Sequence, residues 1–95
     1  MKIKSINPTD NSTIREYDTY SDQTVNDIIN QSNQDFLIWK NLSFDNRKEI
    51  LLKIAKKLEK NVEIHAKMIS LEMGKPIKES RAEILKCIWV IEYYA

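Results

Sequence analysis

One glycine, one cysteine, one histidine and two prolines are all this 95-residue chain holds of the residues that most often mark a site or a linker. A single glycine, Gly74, excludes a glycine-rich phosphate loop. With only two prolines, it also excludes a flexible linker and any collagen-like or proline-rich stretch. A lone cysteine, Cys87, excludes an intramolecular disulfide framework and a multi-cysteine zinc site. With His65 alone, neither a histidine metal cluster nor a His-Glu-x-x-His site can be built. No apolar run approaches the length of a membrane span, and Met1-Lys2-Ile3-Lys4 lacks the apolar stretch of a secretory signal. The expectation is a cytoplasmic protein with no membrane partner, where a free thiol is at ease.

What is present is an ordinary globular composition. Apolar residues make up 42% and charged residues 31%, more apolar content than a disordered chain carries. The net charge of +1 hides an asymmetry. Residues 1–39 hold three bases (Lys2, Lys4, Arg15) and six acids, a net of −3, while residues 40–95 hold 12 bases and 8 acids, a net of +4. The length supports at most one small domain.

Lys2 to Ile6 alternates polar and apolar, the period of a strand. Asn7-Pro8-Thr9-Asp10-Asn11-Ser12 is turn chemistry, because proline sets its own φ and Asn and Asp side chains bond nearby backbone. Thr13 to Tyr17 reads as the returning strand, so residues 1–20 are expected to form a β-hairpin. A two-stranded hairpin is marginal alone and must lean on something.

Three helices are expected after it, over 21–40, 43–73 and 76–95. Ser21 and Ser43 are the N-cap candidates. In the first helix Val25, Ile28, Ile29, Ser32 and Phe36 recur at helical spacing, with Trp39 just beyond. In the second, Leu51, Ile54, Ala55, Leu58, Val62, Ala66 and Ile69 mark one face, opposite a face rich in lysine and glutamate. Gly74 and Pro76 stop that helix, since glycine takes the left-handed C′ conformation and proline cannot continue the turn. Proline also suits the start of the third helix, which should turn Ile77, Ile84, Leu85, Ile88 and Ile91 inward. From Ile88 to Ala95 the chain is apolar almost all round a helical projection. Such a helix belongs inside a larger structure, so the expectation is a piece of a larger fold, weakly stable by itself. Ordering 95 residues costs on the order of 100 kcal/mol of conformational entropy.

Single residues carry little chemistry. Cys87 is read as a small buried apolar residue, because a reactive thiol needs an electropositive, accessible setting. His65, beside the apolar stripe, is read as structural or surface. Glu79 and Glu83 share a helix face at i, i+4, as solvated pairs often do. Lys53, Lys56, Lys57 and Lys60 form a basic stripe, but Glu49, Glu59 and Glu63 interrupt it. A solvated face is therefore expected rather than a nucleic-acid interface. Trp89, Tyr93 and Tyr94 lie in an apolar run and are read as packing residues, not as a stacking platform.

The order of several short motifs is more specific than any of them. Asn7-Pro8 stands in the first turn, Phe36 and Trp39 close the first helix, and Arg47 and Leu51 open the second. Leu71-Glu72-Met73-Gly74-Lys75-Pro76 follows, with Glu83, Lys86-Cys87, Trp89 and Tyr93-Tyr94-Ala95 downstream. From about Ile6 to Ala95 this set resembles the N-terminal segment of the NAD(P)-dependent aldehyde dehydrogenase superfamily, and most of all its succinate-semialdehyde dehydrogenase branch.

The resemblance implies an α/β enzyme several times longer than this chain. These residues would form the N-terminal part of its cofactor-binding domain, with the catalytic and oligomerisation domains outside them. It implies a homo-oligomer that oxidises a small aldehyde with NAD or NADP. A cysteine would attack the aldehyde, hydride would pass to the nicotinamide, and a glutamate-activated water would release the acid. The family's glycine-rich turn, catalytic glutamate and nucleophilic cysteine have no counterpart among these residues. Cys87 stands in Lys-Cys-x-Trp, not in the family's Gly-Gln-x-Cys. No catalytic, cofactor-binding or metal residue is therefore carried over, and the chain by itself is expected to bind no cofactor and to be inactive. Gly74-Lys75-Pro76 matches the family's turn between helices, and Trp39 and Arg47 match packing positions. Glu83 matches an acidic position that some members place near a monovalent cation, without being assigned as a ligand. The alternative is a stand-alone helical module that buries its last helix against a protein partner.

Overall fold

The computed structural model describes residues 1–95. Strands β1 (Lys2–Ile6) and β2 (Thr13–Asp18) pair antiparallel, with Lys2 opposite Asp18, Lys4 opposite Glu16 and an irregularity between Ser5 and Ile6. The cross-strand ion pairs Lys2–Asp18 (3.7 Å) and Lys4–Glu16 (3.2 Å) are open to water and are screened accordingly. The turn closes on its own side chains. The amide of Thr9 donates to Asn7 Oδ1 and that of Ser12 to Asp10 Oδ1, each at 2.9 Å. Asn11 takes φ 60°, a conformation asparagine tolerates better than most residues.

Four helices follow: α1 (Asp22–Trp39), α2 (Phe44–Lys60), α3 (Val62–Met73) and α4 (Ile77–Tyr94). Ser21 and Ser43 cap α1 and α2 as expected. Their hydroxyl oxygens accept from the amides of Thr24 and Asn46, each at 3.1 Å. The span 43–73, expected as one helix, is two, and the division falls at Asn61 (φ −115°, ψ 23°). There the side-chain amide donates to the Lys57 carbonyl at 2.8 Å, so asparagine offers the backbone a local alternative to the helical ladder. The hairpin-then-helices order is as the sequence implies; the helix count is four rather than three.

Gly74 ends α3 at φ 67°, ψ 21°, the left-handed cap its residue type predicts. A Cβ placed there would stand 3.2 Å from Pro8 Cγ. The hairpin turn therefore rests on the α3–α4 corner, and Ser5 Oγ adds a hydrogen bond to the Glu72 carboxylate. That corner is what the hairpin leans on. Gly74→Ala is expected to lower stability by about 1–2 kcal/mol, the cost of a left-handed non-glycine residue. Denaturant unfolding followed by helical circular dichroism measures it; an unchanged midpoint would show that the corner relaxes without cost.

The core is small. Ala55, Ala66, Ile84 and Ile88 are its buried members, with Leu58, Val62, Ile69 and Ile91 packed against them. The Ser80 hydroxyl is fully buried and shares a 2.8 Å hydrogen bond with that of Ser70, so the polar group is satisfied where α3 meets α4. Leu85, expected inward, is exposed. It stands 100° round the helix from Ile84, past the edge of the buried face. Ile54 and Ile77 are also more open than their stripes suggest. Helix α1 has no buried residue.

The radius of gyration is 17.3 Å and the extents are 48 × 37 × 15 Å, against about 12 Å for a compact chain of this length. The molecule is a thin layer, one helix deep in places, and most apolar side chains have nothing above them. No helix is long and apolar enough to cross a membrane.

Candidate functional site

A recess lies where the ends of α1, α2 and α4 meet. It has a volume of about 330 Å³ and is lined by Trp39, Phe44, Arg47, Lys48, Leu51, Tyr94 and Ala95. Trp39 arrives at the last turn of α1. Phe44, Arg47, Lys48 and Leu51 come from the first two turns of α2, which Ser43 caps. Tyr94 closes α4. The Arg47 guanidinium lies 4.7 Å from the centroid of the Phe44 ring, a cation–π contact. Its Nε is enclosed and has no hydrogen-bond acceptor. A recess with two cations and no acidic wall suits an acceptor such as a carbonyl or carboxylate, but holds no nucleophile or general base. Trp39 and Arg47 are thus brought together, while Gly74 and Glu83 lie at the other end of α4.

A second recess on α4 is lined by Glu83, Lys86, Cys87, Val90 and Ile91. Cys87 is exposed, which corrects the expectation that it is buried. The buried face of α4 is set by Ser80, Ile84 and Ile88, and Cys87 falls outside that arc. Glu83 faces Lys75, and the two form an ion pair across the α3–α4 corner. The hydrogen bond from Lys75 to Glu83 is the main reason the Lys75 amine is held above its ordinary pKa.

The Arg81 fork clasps Glu63, with Nε to Oε1 at 2.7 Å and Nη2 to Oε2 at 3.0 Å. This bidentate hydrogen bond lowers the Glu63 pKa and raises that of Arg81. The Arg81–Glu63 pair joins α3 to α4 and the Lys75–Glu83 pair joins their connecting turn to α4; spacing signalled neither, Glu63 and Arg81 being 18 residues apart. They are alignment contacts in water, not acid–base machinery.

The remaining candidates stay apart. His65 is exposed on α3, and Lys53, Lys56, Lys57 and Lys60 are exposed on α2. No group of three or more His, Cys, Asp or Glu side chains could hold a metal ion. Trp89 is 68% and Tyr93 81% exposed, so the outward side of the last turns of α4, opposite Ile88 and Ile91, packs against nothing within the chain. The order of elements and the corner at Gly74 are the distinctive features of this geometry.

A family model described as the aldehyde dehydrogenase family matches residues 1–95, the whole chain. The chain belongs to the aldehyde dehydrogenase family. Among curated aldehyde dehydrogenases it is 34% identical over 95 residues to a probable NADP(+) succinate-semialdehyde dehydrogenase of Synechocystis. It is 33% identical over 95 residues to an NADP(+) succinate-semialdehyde dehydrogenase of Mycobacterium tuberculosis. Each alignment covers 100% of this chain and 21% of the relative, so the chain spans about a fifth of the length of the curated aldehyde dehydrogenases it matches. The backbone is also similar to that of a glyceraldehyde-3-phosphate dehydrogenase of Methanocaldococcus jannaschii, solved in complex with NADP. The TM-score is 0.89 at 28% identity, over 96% of this chain and 20% of that one. The hairpin, the four helices and their angles are therefore an aldehyde dehydrogenase arrangement.

Proposed function

We propose that these residues are the N-terminal part of the cofactor-binding domain of an NADP-dependent aldehyde dehydrogenase that oxidises a small aldehyde to its acid, with succinate semialdehyde the first substrate to test. The observation that carries the reading is the match of the entire chain to the family, joined to the same fold in an NADP-bound dehydrogenase. The relatives named for NADP favour that cofactor over NAD. The residues present do not fit the cofactor. The one glycine is committed to the α3–α4 corner, so no phosphate-cradling turn can be built from them. On this reading the nucleophile, the glutamate base and the cofactor turn belong to the other four-fifths of the family fold, which is the partner of this segment. The segment contributes shape. Cytoplasmic location and homo-oligomeric assembly of the intact enzyme are parts of the same proposal.

The test is a chimera in which this chain replaces the matched fifth of the Synechocystis relative, assayed for NADPH formation from succinate semialdehyde. The chimera is expected to turn over, and the 95-residue chain alone is not. A soluble, folded chimera without NADP-dependent oxidation would overturn the reading. So would turnover by the isolated chain that survives Cys87→Ala. The exposed apolar end of α4 favours the second reading, a stand-alone interaction module. An in-frame genomic continuation with a glycine-rich turn and a Gly-Gln-x-Cys sequence separates the two.

A further inference from the structure

We draw no further inference here: the strongest candidate, the recess where the ends of α1, α2 and α4 meet around Arg47, holds an enclosed Nε without an acceptor, but in a chain that spans about a fifth of its relatives' length nothing in the structure shows what covers it.

Discussion

Ile88→Ala is expected to leave the chain largely unfolded. Ile88 is one of four apolar residues that are truly buried, and it sits on α4 where that helix touches both α2 and α3. Truncating a buried isoleucine removes its transfer free energy and leaves a cavity that the surroundings only partly fill, at a cost of about 2–5 kcal/mol. Domains of this size are stable by about 0.1 kcal/mol per residue, and this one encloses far less than a compact domain. A single loss therefore rivals the whole. The measurement is thermal unfolding followed by the helical dichroism signal, with Ile88→Val alongside as the graded control at about 0.5–1.5 kcal/mol. A cooperative melt retained by the alanine variant, at nearly the original midpoint, would show that stability resides elsewhere.

The second large effect comes from adding volume. Ala66 has 0% exposure and Ala55 2%, so the helices approach one another through methyl groups. Ala66→Leu places three more heavy atoms where no space exists. The helices must separate or the side chain must leave its rotamer, at about 1–3 kcal/mol. Ala66→Ser, nearly equal in volume, isolates the steric part from the polar one. Combining Ala66→Leu with Ile88→Ala should cost less than the two separately, since the new side chain takes up part of the cavity. That non-additivity, read from denaturant midpoints, is the signature of a shared packing site. Strict additivity would place the two residues in independent regions and contradict the single cluster.

The Arg81–Glu63 pair between α3 and α4, and the Lys75–Glu83 pair between their connecting turn and α4, explain how so thin a core keeps this corner aligned. They fix direction and register rather than supply much free energy, because water reaches both. The arrangement suits a segment that presents surfaces to something else. Its apolar side chains are not scattered singly. They gather on α1 and on the last three turns of α4, and contiguous exposed apolar area of that kind marks an interaction surface.

Local chemistry is what the sequence determined by itself. Ser21 and Ser43 announce helix starts because a hydroxyl two or three residues before orphan amides can do little else as useful. Gly74 announces the corner because only glycine takes a positive φ cheaply. The ordered set from Asn7-Pro8 to Tyr93-Tyr94-Ala95 identifies the family, since ordered gaps survive where single motifs do not. Tertiary structure alone decided the rest. Asn61 divides one periodic stripe into two helices, because a side-chain hydrogen bond competes with the ladder without disturbing the apolar period. Leu85, Trp89 and Cys87 face solvent, because the buried arc of α4 is set by where α2 and α3 lie, and hydropathy cannot report which side of an all-round apolar helix meets a neighbour. Arg47 meets Trp39 and Tyr94 in one recess for the same reason: residues from three helix ends converge only through packing, which acts between elements distant in sequence and leaves no periodic trace in any of them.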